Sequence, residues 1–138
     1  MGPEKKSAQK IALIAWNKSV EEKELTVLRK SLSDLNYRVD VVYELSQLDQ
    51  QLCEYEKNGE SPQEIVSHFH FPKVPLSGLN RRILRRLKAA NPKAQPRITA
   101  VTQRLLGADL NQFAIDSSAD EVGKAADLPQ AIIEIFRE

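Results

Sequence analysis

Residues 64–102 read EIVSHFHFPKVPLSGLNRRILRRLKAANPKAQPRITAVT, and this stretch decides the fold. It opens on an apolar run rich in β-branched and aromatic types, 64–71, which predicts a strand. A proline-bearing loop, PKVPLSG, follows. From Leu79 the apolar positions Leu79, Ile83, Leu84 and Leu87 recur at helical spacing until Asn91-Pro92 stops them. Residues 97–101, RITAV, predict the next strand. A strand, a helix and a second strand within so few residues predict a right-handed crossover between two parallel strands.

The same alternation extends in both directions. Upstream, IALIA (11–15) is continuously apolar, as a strand covered on both faces would be. Ser19 followed by Glu22 has capping-box spacing, and Leu25, Leu28, Leu32 and Leu35 predict a helix up to Asn36. RVDVVY (38–43) predicts a strand, and Leu45, Leu48 and Leu52 a helix ending near Asn58-Gly59. Downstream, Leu105 to Ile115 predicts a helix, Glu121 to Ala125 a short strand and Leu128 to Arg137 a last helix. The expected fold is therefore α/β: a five-stranded parallel doubly wound sheet in a three-layer, flavodoxin-like sandwich over residues 10–138. Residues 1–9, MGPEKKSAQ, are polar and aperiodic and read as a linker remnant.

Composition narrows the function. At 138 residues the chain suits one domain, with a core burying roughly two thirds of its unfolded surface. Twenty Lys+Arg against 19 Asp+Glu leave a formal charge of +1, so no global field draws nucleic acid or a membrane surface. The single cysteine excludes an internal disulfide framework and suits a reducing, cytoplasmic setting. No apolar run reaches the ~20 residues that a membrane helix needs. In such a sheet the sites lie at the carboxyl ends of the strands, which directs attention to Ala15-Trp16-Asn17, His68 to Pro72, Thr102 and Lys124. WNKS (16–19) after the first strand has no glycine-rich phosphate loop, which counts against a nucleotide or flavin.

The middle segment quoted above resembles the receiver domains of two-component response regulators: third strand, proline-containing loop, Gly78-Leu79 at a helix start, third helix, and a fourth strand ending in a hydroxyl residue. SSADEVGKAADLPQAI (117–132) is similar to the receiver stretch that carries a small-residue turn, a fifth strand, a lysine and the last helix. The separation of Thr102 from Lys124 is similar to that of the family's switch hydroxyl and lysine. The resemblance implies a phosphoacceptor carboxylate on the third strand and an acid pair after the first, which together hold Mg²⁺ through hard oxygen ligands. This chain departs from both. The acid-pair positions hold Ala15 and Trp16, and the nucleophile position falls between His68 and Phe71, where no acid occurs from Ile65 to Ser77. The proline expected after the lysine is replaced by Ala125.

What the resemblance implies is thus a pseudo-receiver that signals without phosphorylation, with no metal and no cofactor, in a sensor such as a hybrid histidine kinase or in an atypical response regulator. Its partner would be a histidine kinase core, another receiver or an output domain, and the domain itself would be cytoplasmic and no enzyme. Two alternatives stay open: a flavodoxin-like domain for a small ligand, and the regulatory domain of a transcription factor. Residue by residue, Trp16 is expected to fill the volume that metal and carboxylates would occupy, and its indole N–H then needs a partner. His68 is more often a packed side chain than a phosphohistidine, and a metal pinched by His68 and His70 lacks a third ligand. Thr102 and Lys124 either position an anion or end strands. Arg81, Arg82, Arg85, Arg86 and Lys88 form either a partner-docking surface or a solvated basic face. Cys53 is expected to be a buried or half-buried small residue.

Overall fold

The computed structural model describes residues 10–18, 20, 22–68, 71–102 and 121–124, the last stretch and Thr102 as backbone. The elements are β1 (Lys10–Ala15), α1 (Glu22–Asp34), β2 (Tyr37–Val42), α2 (Leu45–Asn58), β3 (Glu64–His68), α3 (Leu76–Ala90), β4 (Arg97–Thr102) and β5 (Glu121–Lys124). Every pairing is parallel, in the order β2-β1-β3-β4-β5. β1 lies between β2 and β3, so both of its edges are paired, and with helices packed on its two faces Ile11 through Ala15 are all buried.

Alternation along the strands divides the core into two layers. Leu13, Ala15, Ile65, Ile98 and Ala100 point to one face, against Leu48, Leu52 and Tyr55 of α2 and Leu79, Ile83 and Leu87 of α3. Ala12, Ile14, Val66 and Val101 point to the other, against Leu25, Leu28 and Leu32 of α1. Helices thus cover both faces of a parallel sheet, as the period-2 and period-3.6 patterns require when they share one core.

The helix ends follow local chemistry. Asn36 takes a left-handed φ of 68° just after α1. Gly59 does the same after α2, where its N–H and that of Glu60 return to the carbonyls of Glu56 and Tyr55, a closure that glycine makes without a Cβ penalty. At Gly78 a Cβ would stand 3.0 Å from Val74 Cγ2, so the missing side chain lets the first turn of α3 close onto the loop before it.

Several boundaries differ from expectation. The third strand ends at His68, not at 71, because the Phe71 N–H turns back to the His68 carbonyl at 3.0 Å. α3 starts one turn earlier than Leu79, at Leu76 behind Pro75, since proline's fixed φ suits a helix start. β2 spans 37–42 in place of 38–43. Cys53 is exposed, which corrects its expected burial: it follows Leu52 by one residue, and one step of about 100° turns it off the stripe of Leu48, Leu52 and Tyr55. The linker at 1–9, Ser19 of the capping box, His70, Ala125 and the helices expected at 105–115 and 128–137 lie outside the described residues. Among the described residues no helix is long and apolar enough to cross a membrane.

Candidate functional site

β1 and β3 are neighbours in register, Ala15 beside Ser67, so their carboxyl ends meet at one place on the rim of the sheet. His68 is the last residue of β3 and pairs with Val101 of β4. Ala15 ends β1, and Trp16 extends its ladder by donating its backbone N–H to the Val42 carbonyl at 3.0 Å.

The two side chains that matter most lie on the α1 face. Trp16 is 1% exposed and His68 is fully buried. Their rings pack with centroids 4.4 Å apart and planes tilted by 47°, a close contact just under the roughly 4.5–7 Å typical of aromatic pairs. The chain after Trp16 turns so that the Val20 N–H reaches the Asn17 carbonyl at 3.1 Å. That turn brings the Val20 carbonyl to the indole, which donates its Nε1–H to it at 2.7 Å. The partner needed by a buried indole is therefore supplied by the backbone of the β1–α1 connection. Asn17 is half-buried at the same rim.

On the opposite face, Ala15 and Ser67 are both fully buried. Ser67 Oγ makes no hydrogen bond, and its register neighbours on β1 and β4 are Ala15 and Ala100, which offer none. The backbones of Thr102 and Lys124 are paired with each other at the ends of β4 and β5, at the same carboxyl end of the sheet as His68. Their side chains lie outside the described residues. The expected site residues Ala15, Trp16, Asn17 and His68 thus converge, and Thr102 and Lys124 join them in backbone position.

Carboxylates are gathered elsewhere. Arg38 of β2 donates to Glu60 at 2.8 and 3.0 Å and to Asp40 at 3.0 Å, and Tyr55 donates its hydroxyl to Asp40 at 2.7 Å. The guanidinium holds the Glu60 carboxyl below its usual range, while burial, reinforced by Asp40, pushes the Tyr55 phenol well above its ordinary value. Glu64 faces Arg97 at 3.4 Å. Among the described residues no three His, Cys, Asp or Glu side chains are placed to hold a metal ion.

The arginine helix divides into two kinds of residue. Arg82 donates to both oxygens of Asp49 on α2, at 3.0 and 2.7 Å, which depresses the Asp49 carboxyl. Arg86 reaches the same carboxylate at 3.9 Å and donates to Cys53 Sγ at 3.3 Å. Arg85 and Lys88 are exposed. The tie between α2 and α3 escaped the sequence reading: Asp49 and Arg82 are far apart in the chain, and only the packing of both helices on one face brings them together.

In solved structures this architecture is found in signalling proteins. The receiver domain of the histidine kinase CKI1 from Arabidopsis thaliana, complexed with Mg²⁺ and BeF₃⁻, superposes with a TM-score of 0.67 at 17% identity, covering 94% of this chain and 91% of that one. The fold is that of a receiver domain. The signal receiver domain of an HD domain-containing protein from Pseudomonas fluorescens Pf-5 gives a TM-score of 0.65 at 16% identity, over 94% of this chain and 92% of that one. The phosphorylated cyanobacterial phytochrome response regulator RcpA gives 0.60 at 14%, over 93% and 91%. No protein-family model matches the chain, and no curated protein matches it in sequence.

Proposed function

We propose that this receiver fold serves two-component signalling as a protein-interaction domain that does not accept phosphate. The observation that carries the reading is the Trp16 indole: it is buried at the carboxyl end of β1, bonded to Val20 and packed on His68. A receiver needs oxygen ligands there for Mg²⁺ and a carboxylate nucleophile on β3. Here the corresponding positions offer a methyl group, an indole and an imidazole. None of the three is a hard oxygen donor, and an aspartyl phosphate has no aspartate on which to form. The CKI1 receiver domain, solved with Mg²⁺ and BeF₃⁻, makes the contrast concrete. Without that chemistry the domain has no catalytic step and regulates by docking to a kinase core, another receiver or an output domain.

The test uses acetyl phosphate and Mg²⁺ with intact mass as one readout and tryptophan emission as the other. The chain has one tryptophan, so an ion or phosphoryl group entering the rim would alter its emission directly. Unchanged mass and unchanged emission are expected. A phosphate adduct on any carboxylate, or a saturable emission change with Mg²⁺, would overturn the reading.

A further inference from the structure

α3 turns Leu76, Leu79, Ile83 and Leu87 into the core and leaves its arginines outside. Arg81, Arg82, Arg85 and Arg86, with Gly78, line a surface hollow of about 400 Å³. Among the described residues no carboxylate lines it. Arg82 and Arg86 share the single Asp49 carboxylate, so that the pair keeps a surplus positive charge while its guanidiniums are held in place. Arg85 is exposed and, among the described residues, has no carboxylate bonded to it.

We propose that this hollow is a docking surface for an acidic helix of a partner protein, seated by its carboxylates on the arginine rim. The inference rests on the reading of the domain as an interaction module, and it names the surface and the partner's chemistry. Arg81 and Arg85 are four residues apart, as are Arg82 and Arg86, which sets each pair about 6 Å apart along the axis. Carboxylates at i and i+4 on an opposing helix repeat at the same rise, and guanidinium forks donate to them in bidentate fashion. Arg82 and Arg86 are already fixed by Asp49, so less side-chain freedom is lost on binding. A nucleic-acid backbone fits the surface less well. The α3 sequence, LSGLNRRILRRLKAA, has no aromatic residue on which a base could stack, and a chain of net charge +1 carries no extended field to follow a phosphate backbone.

The experiment titrates the 138-residue chain against a fluorescently labelled helical peptide with glutamates at i, i+4 spacing, its glutamine counterpart, and a DNA duplex of matched charge. Anisotropy gives affinity, and amide shifts locate the contact. Saturable binding of the glutamate peptide is expected, with shifts at Gly78, Arg81 and Arg85. The glutamine peptide and the Arg85→Glu variant should each bind at least about tenfold more weakly. Arg85→Gln should fall between, and both variants should keep a Tm within about 2 °C of the parent. Equal binding by the glutamine peptide, undiminished binding by Arg85→Glu, or tighter binding of the duplex would each overturn the proposal. The two readings separate cleanly: a phosphate adduct with intact peptide binding removes only the reading of a domain that does not accept phosphate, and absent peptide binding with no adduct removes this one alone.

Discussion

The two ends of the sheet are built from opposite materials. At the carboxyl end of β1 and β3 the rim holds Ala15, Trp16 and His68, buried and without a carboxylate. Toward the amino ends lie Arg38, Asp40, Glu60, Glu64 and Arg97, paired with one another. Parallel sheets bind ligands at the carboxyl end, where a ring of acids would make a metal site. Among the described residues these strand acids sit toward the amino ends and are paired with arginines, so they stabilise the fold and do not ring the carboxyl end. A count of acidic residues would not have shown the difference; their position along the strands does.

The comparison can be broken most directly at the aromatic end. Trp16→Ala removes the largest buried side chain at the rim together with its bond to Val20, and is expected to cost about 3–5 kcal/mol, read by urea denaturation. Trp16→Phe should cost only about 1–2 kcal/mol, since it keeps most of the packing and leaves the Val20 carbonyl without its donor. A loss below 1 kcal/mol for the alanine variant would mean that the indole is not a structural plug.

The charged end should respond to acid. Arg38 holds Glu60 below its ordinary value of 4.5, and Arg82 holds Asp49 below 3.8. In both cases the unfolded chain binds the proton more readily. The stability contributed is therefore complete above these ordinary values and is lost as pH falls through the depressed folded ones. Urea midpoints measured from pH 6 down to pH 3 should decline below about pH 4.5, and the Glu60→Gln variant should show a shallower decline. Because Arg38 and Glu60 are both partly solvated, that variant should lose only about 0.5–1 kcal/mol at neutral pH.

Asp49→Asn sharpens the contrast between a fold contact and a surface contact. Both partners of the α2–α3 tie are more than one third exposed, so solvent screens it and the loss should stay near 0.5 kcal/mol by the same measurement. Smallest of all is Ser67→Ala. The Ser67 hydroxyl is buried without a hydrogen bond, so its removal should be neutral or stabilise by up to about 1 kcal/mol. A clear destabilisation would show that the hydroxyl has a role in the pocket.

Most of the fold was legible because the apolar positions of each element form one stripe. Leu25, Leu28 and Leu32 predicted α1, and Leu79, Ile83 and Leu87 predicted α3. The alternation of elements then required a parallel sheet. At the rim the indole's need for an acceptor was legible from its one N–H, and the Val20 carbonyl meets it. Less legible were features that depend on distant packing or on a single backbone turn. The Asp49–Arg82 tie needs α2 and α3 side by side. The end of β3 depends on one hydrogen bond from Phe71, in a segment whose β propensity continues past it. Cys53 was misplaced because its neighbours Leu52 and Tyr55 are buried and it lies one step off their stripe.

Gln63, just before β3, exchanges hydrogen bonds with two other strands at once. Its backbone N–H donates to the Ile11 carbonyl, its side-chain Oε1 accepts the Ile11 N–H, and its carbonyl accepts the Arg97 N–H. A parallel sheet has no tight hairpins to set register, because each pairing is separated by a long crossover. One residue that clasps β1, β3 and β4 sets the phase of three strands together. Sliding any of them by one position would break bonds at both neighbours, and the amides of Ile11, Gln63 and Arg97 would open to solvent exchange as one unit.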